Sequence, residues 1–191
     1  VGSALPTGTV TFTVDGGEVA ASLVNGVASY ITDTLVVGSH VITATYGGDA
    51  GLFLPSSATL AGGQEIICAS TRTVTSDADD GAGSLRRAIN DVCDGGTVDF
   101  SLNYPATITL TSGVALTLTK DVTIAGPGAD KVAVSGNNAQ RVLAVNSGVT
   151  AAIDGLTIRD GYLTGLEYGG GILNSGVLTV TNSTLTGNSG P

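Results

Sequence analysis

Apolar and hydroxyl residues alternate strictly along much of this chain. Thr9-Val-Thr-Phe-Thr-Val14 places Val10, Phe12 and Val14 on one face, and His40-Val-Ile-Thr-Ala-Thr-Tyr46 groups Ile42, Ala44 and Tyr46. A period of two is that of a strand with one buried face. Asp15-Gly16-Gly17, Asn25-Gly26 and Gly38-Ser39 are turn signals between such runs. Segments 18–24, 27–31 and 34–37 are the remaining expected strands. Short strands broken by turns roughly every 8–12 residues predict an antiparallel sandwich over residues 1–61.

The pattern changes in the second half, where a phrase repeats. Thr111-Ser-Gly-Val114, Asn146-Ser-Gly-Val149 and Asn174-Ser-Gly-Val177 are each followed by short runs of Val, Leu or Ile alternating with Thr. The offsets are 35 and then 28 residues, from Thr111 to Asn146 to Asn174. Repeats of this size mark stacked units that bury their apolar faces only against neighbours. Here the units are β, so residues 97–191 are expected to form a right-handed parallel β-helix. Residues 62–67 read as a linker and 68–96 as a capping strand and helix. Within that cap, Ser84 is a good N-cap, and Leu85, Ala88, Ile89 and Val92 share one helical face. A helix there would cover the open first rung. The expected fold is all-β: an antiparallel β-sandwich, then a right-handed parallel β-helix with one short N-terminal capping helix.

Composition narrows the function. Only 12% of residues are charged, and the formal net charge is −9. Seven scattered basic residues argue against nucleic acid. No apolar run approaches the ~20 residues of a membrane span, and no signal peptide pattern is present. The chain starts at Val1 without Met, which is read as a mature product or a fragment.

Cys68 and Cys93 flank one predicted element and have no other redox or metal-ligand partner in sequence, so a disulfide is preferred over two separate buried thiols. A disulfide in turn implies an exported protein. Catalytic candidates are few. Asp154, Arg159 and Asp160 form the best cluster, although Asp154-Gly155 and Asp160-Gly161 also read as turns. The sole histidine, His40, opens a strand and is read as structural. Asp77, Asp79 and Asp80 are a weak Ca²⁺ candidate without the EF-hand spacing; a solvated turn before a helix needs no ion. No cofactor is expected. Thr107, Thr109, Thr111, Thr117, Thr119, Thr179 and Thr181 resemble the ladders of ice-binding β-helices, but Thr also favours any solvated strand, and unequal repeats would spoil a ladder. Asn182-Ser-Thr184 is a glycosylation acceptor pattern.

Two resemblances add to this reading. Pro6-Thr-Gly-Thr-Val-Thr-Phe12, Leu35-Val-Val-Gly-Ser-His40 and Ile42-Thr-Ala-Thr-Tyr-Gly-Gly-Asp49 resemble the bacterial Ig-like repeat domains of large surface proteins, over residues 6–60. In that family one or two strands precede the Pro-x-Gly-Thr-Val strand, whereas only Val1 to Leu5 do here. The resemblance therefore implies a sandwich incomplete at its N-terminal side, with an apolar groove and an unpaired edge. Residues 1–61 hold no Lys, which excludes the Lys–Asn isopeptide bond of many bacterial Ig-like adhesins. Gly83-Ser-Leu-Arg86 with Ala88-Ile89, then Cys93-Asp-Gly-Gly-Thr-Val-Asp-Phe100, resembles the cap of bacterial β-helix surface proteins of the polymorphic outer-membrane or autotransporter type, over about 69–190.

These resemblances imply a non-enzymatic structural or adhesive protein, extracellular or on a bacterial surface. The alternative is a β-helix protein that binds or cleaves polysaccharide. Expected partners are surface glycans, neighbouring domains of a longer chain, or further copies, with no nucleic acid and no membrane insertion. The chain ends in mid-repeat, so it reads as a slice of a longer polypeptide or a self-assembling subunit. For assembly into filaments by strand exchange or coil stacking, the expected acceptor is Thr9, Val10, Phe12 and Val14. The expected donors are 1–5 or 177–185.

Overall fold

The computed structural model describes residues 4–32, 34–49, 51–164 and 168–190. The chain divides into two compact units, Val1–Ile67 and Cys68–Pro191.

In the first unit, β1 (Thr9–Val14), β2 (Gly17–Ser22), β3 (Gly38–His40), β4 (Ile42–Tyr46), β5 (Ser56–Thr59) and β6 (Gln64–Ile66) are all short. Asp15 and Gly16 both take positive φ, 49° and 90°, as a two-residue hairpin turn between β1 and β2 requires. The main sheet runs β2-β1-β4-β5, and β3 pairs with β6 as a separate ribbon. Register places Val19, Phe12, Ala44 and Ala58 in one row and Ala21, Val10, Tyr46 and Ser56 in the next. The opposite face carries Glu18, Thr13, Thr43 and Thr59, so the alternation does produce one apolar and one wet face. That apolar face is thinly covered. The rings of Phe12 and Tyr30 lie 6.0 Å apart, yet no apolar side chain of the first unit is buried among the described residues.

Two expectations fail in this unit. Residues 64–66, assigned to a linker, form β6 against β3. Segments 27–31 and 34–37 form no strand among the described residues beyond an isolated bridge between Val24 and Val27. Most of their larger apolar side chains stay exposed (Ile31 is 92% exposed), so little packing stabilises an extended pairing there.

The second unit opens with β7 (Ala69–Val74) and α1 (Leu85–Asp91). The Ser84 hydroxyl accepts the Arg87 amide at 3.2 Å, the expected N-cap. Then come β8 (Val92–Phe100), β9 (Ala106–Thr109), β10 (Leu116–Leu118), β11 (Val122–Ala125), β12 (Val132–Ser135), β13 (Leu143–Val145), β14 (Thr150–Asp154), β15 (Thr157–Arg159), β16 (Ile172–Asn174), β17 (Val177–Thr181) and β18 (Thr184–Thr186). They stack as three parallel sheets, β17-β14-β11-β8-β7, β18-β15-β12-β9 and β10-β13-β16. This is a parallel β-solenoid of about four turns.

Inward residues stack in columns: Val98, Ile124, Ile153 and Val180; Ile108, Val134, Ile158 and Leu185; Leu116, Leu143 and Ile172. Leu85, Ala88 and Ile89 of α1 join the same cluster, so the helix covers the first coil as expected. Toward the last coil the columns open, with Val180 37% and Leu185 51% exposed. Corners are locked from coil to coil by carboxylates. Asp94 accepts the Asp121 amide at 2.8 Å, and Asp121 accepts the Thr150 amide at 2.7 Å. Gly176 cannot be replaced cheaply, because a Cβ there would lie 2.3 Å from the Val149 carbonyl.

The repeat itself needs correction. Asn146 and Asn174 do share one corner, before β14 and β17. Thr111-Ser-Gly-Val114 instead sits between β9 and β10, at a different corner. The counterpart of Asn146 in the first coil follows Leu118, whose carbonyl accepts the Asn146 amide. Turn chemistry repeats at more than one corner, and the local phrase could not tell them apart.

Candidate functional site

The densest set of polar contacts lies at the cap. Asp79 is 8% exposed. Its Oδ1 accepts from Arg86 Nε and Nη2 at 3.1 and 2.5 Å, and its Oδ2 accepts the Thr111 and Ser112 amides at 2.9 and 2.7 Å. Arg86 donates onward to the Ala115 and Val114 carbonyls at 3.0 and 2.8 Å. Burial pushes the Asp79 carboxyl up, but Arg86 and the two amides outweigh it and hold the group down at about 2. The pair staples the loop before α1, and α1 itself, to the 111–115 corner of the first coil. Lys120 reaches the other end of the helix, donating to the Asn90 and Val92 carbonyls at 2.7 and 2.6 Å. The cap is also closed covalently: Cys68 and Cys93 form a disulfide with Cα atoms 5.0 Å apart, joining the chain just ahead of β7 to the start of β8.

This geometry changes the reading of the Asp77, Asp79 and Asp80 set. Both oxygens of Asp79 are spent on Arg86 and backbone amides. Among the described residues no group of three His, Cys, Asp or Glu side chains converges as a metal site would require.

The cluster Asp154, Arg159 and Asp160 is likewise divided. Asp154 ends β14 and Arg159 ends β15, which belong to different sheets. Asp154 Oδ1 accepts from the Thr181 hydroxyl and the Asn182 amide, both at 2.7 Å, and these two bonds lower its pKa despite some desolvation. Asp160 pairs with Arg159 at 3.1 Å and accepts the Ser135 hydroxyl at 3.2 Å, at a corner with φ 53°. Each carboxylate serves its own corner. The Asn182 side-chain nitrogen, the atom a glycan would join, is the donor to Asp154.

The hydroxyl rows on the solenoid are interrupted. Thr97, Thr123, Ala152 and Thr179 align on one sheet, and Thr107, Ala133, Thr157 and Thr184 on another. Alanine breaks both, so neither gives a continuous threonine ladder.

The proposed strand-acceptor edge is overturned. β1 is the interior strand of its sheet, paired with β2 from Thr9↔Ser22 to Val14↔Gly17 and with β4 from Val10↔Tyr46 to Val14↔Ile42. Both of its edges are occupied, so Thr9, Val10, Phe12 and Val14 offer no backbone to a partner; the outer strands are β2 and β5. Of the two proposed donors, residues 1–3 lie outside the described residues. Segment 177–185 runs through β17 and into β18, paired parallel with β14 and β15.

Sequence reasoning missed the staples of the first unit. The Tyr46 hydroxyl donates to the Thr7 carbonyl at 2.9 Å, and Asp49 Oδ1 accepts the Phe53 amide at 3.0 Å. His40, 6% exposed, lies between Asp15 and the Val36 carbonyl. Thus Tyr46, Asp49 and His40, quoted for their pattern, work as loop and turn ties.

These features define a small Ig-like β-unit followed by a capped parallel solenoid. Residues 1–64 match the model of the bacterial Ig-like domain (group 3) family. The chain therefore carries a bacterial Ig-like domain, and a β-solenoid with one short helix follows it. No curated protein and no solved structure matches the chain. Among the described residues no helix is long and apolar enough to cross a membrane.

Proposed function

We propose that the chain is a non-enzymatic structural or adhesive module of an extracellular bacterial surface protein. A bacterial Ig-like domain with a β-solenoid fits a surface or adhesive protein. One observation carries the non-enzymatic part. The carboxylates that could do chemistry, Asp79, Asp154 and Asp160, are each held by hydrogen bonds that fasten a cap or a corner. Glycoside cleavage would need two carboxylates free to face one substrate, roughly 5–10 Å apart.

The adhesive reading assigns the ligand to the outer faces of the two sheets that carry the hydroxyl rows, β17-β14-β11-β8-β7 and β18-β15-β12-β9. Self-association by strand addition would use β2, β5 or the strands of the last coil, since β1 is paired on both edges. A glycan and peptidoglycan array with the full chain separates the roles: saturable binding marks an adhesin, and its absence leaves a spacer. A polysaccharide turnover screen tests the rest. Cleavage that Asp154→Ala or Asp160→Ala abolishes would overturn the non-enzymatic proposal.

A further inference from the structure

We propose that His40 and Asp15 form a pH-gated clasp, which holds the β1–β2 hairpin tip against β3 and β4 and lets go once the imidazole loses its second proton. The geometry starts with the two ring nitrogens. Nδ1 lies 2.6 Å from Asp15 Oδ2, and Nε2 lies 2.8 Å from the Val36 carbonyl oxygen. Both partners accept and neither can donate. A neutral imidazole has a single N–H, so either tautomer would set a bare ring lone pair against an oxygen. Only the imidazolium satisfies both contacts. The ring is almost fully enclosed, and water cannot easily take over the orphaned contact.

The clasp joins two segments that are distant in sequence, the hairpin corner at Asp15 and the stretch from Val36 to Val41. Asp15 occupies the left-handed corner of the hairpin. Its Oδ1 accepts the Val41 amide at 2.9 Å, and its own amide donates to the Val41 carbonyl at 3.1 Å. Val36 belongs to the preceding loop, and His40 closes β3. The hairpin tip thus hangs on one charged side chain and the residue after it.

The surrounding charges all favour the cation. Asp15 faces the ring directly, and Glu65 lies on β6, paired with β3 through Ser39↔Glu65. Residues 1–67 contain no Lys or Arg to compete or repel. The hydrogen bond to Asp15, then that to Val36, raises the His40 pKa above its ordinary 6.5 against the opposing effect of burial. Asp15 is lowered below 3.8, first by His40 and then by the Val41 amide.

The sign follows from linkage. A raised histidine contributes stability fully below its unfolded value near 6.5, and that contribution is lost as pH rises through the higher folded value. A lowered Asp15 contributes above 3.8 and fails as pH falls through its folded value. The clasp is therefore closed between the lowered Asp15 value and the raised His40 value and opens on either side, with the upper limb set by His40 alone.

The chain has one histidine, so its imidazole Cε1–H gives one NMR resonance in the full-length protein. The expected titration midpoint is above 6.5, and it falls in Asp15→Asn. Stability of the Ig-like domain, followed by denaturant titration at several pH values, is expected to fall as pH rises from about 6.5 through that midpoint in the wild type and to stay flat over the same range in His40→Gln. A wild-type midpoint at or below 6.5, or one that Asp15→Asn leaves in place, overturns the proposal. Should either variant fail to fold, the wild-type midpoint alone decides: above 6.5 upholds the clasp, at or below 6.5 rejects it.

Discussion

The two units are built from the same residues, Val, Ile, Leu and Thr in alternation, yet they bury them to different extents. In the solenoid, Ile124 and Ile153 are each about 1% exposed, because each is stacked between neighbouring coils within the one core cluster that the sheets share. In the Ig-like domain, Phe12 projects from the middle of its sheet and still remains half-buried. Among the described residues no apolar side chain of that domain is buried. Alternation creates an apolar face, but dryness comes from what covers it. Apolar burial contributes on the order of 25 cal/mol per Å², so stability is expected to concentrate in the solenoid, with the Ig-like domain resting more on specific polar ties.

Substitutions can break that contrast. The largest effect is expected from Ile153→Ala, which removes a fully buried side chain between two coils and should cost the solenoid about 4 kcal/mol. Phe12→Ala, for all its larger side chain, should cost the Ig-like domain roughly half of that, because the ring is only partly buried. Denaturant titration of each variant, with a probe in each unit, measures the difference. Equal losses would show that the first sheet is as dry in solution as the second unit.

Opening the Cys68–Cys93 disulfide comes next. Its sequence separation of 25 predicts a loss of about 3–4 kcal/mol from the solenoid by the chain-entropy estimate. The Ig-like transition should not move. Two alkylatable thiols in natively isolated, unreduced protein would refute the bond itself.

Asp79→Asn is expected to cost about 3 kcal/mol, since it leaves Arg86 without its buried counter-charge. The same staple has an acid limit. Asp79 is held down near 2, so its contribution is present above 3.8 and disappears as pH falls through about 2. Acid titration of wild type and Asp79→Asn should therefore converge at low pH. The smallest effect belongs to Asp154→Asn at its solvated corner, where unfolding of the solenoid should not change measurably.

What could be read in the sequence was whatever is local. The strand 9–14, the Asp15-Gly16 turn and the helix with Ser84 as its cap depend on neighbours within a few residues, and all appear where the pattern puts them. The pairing of Cys68 with Cys93 followed from the scarcity of other partners. Non-local facts were not legible. Nothing in Thr9–Val14 states that β4 will occupy its second edge. The 111–114 turn looks like those at 146 and 174, and only the stacking register separates the corners. Asp79 looked like one of three loop carboxylates, because its partners Thr111 and Ser112 lie more than thirty residues onward. Segments 27–31 and 34–37 had strand composition without a covering layer, and composition alone did not make them strands.

Hydrogen exchange of the intact chain, read by mass spectrometry under native conditions, compares the two units in one experiment. Amides of β11, β12, β14 and β15 should exchange slowest, through opening of the whole capped solenoid. Those of β1, β2 and β4 should exchange distinctly faster, through separate opening of the Ig-like domain. Protection in β1 and β4 equal to or greater than that in β11 and β14 would contradict the contrast between a dry solenoid and a half-covered sheet.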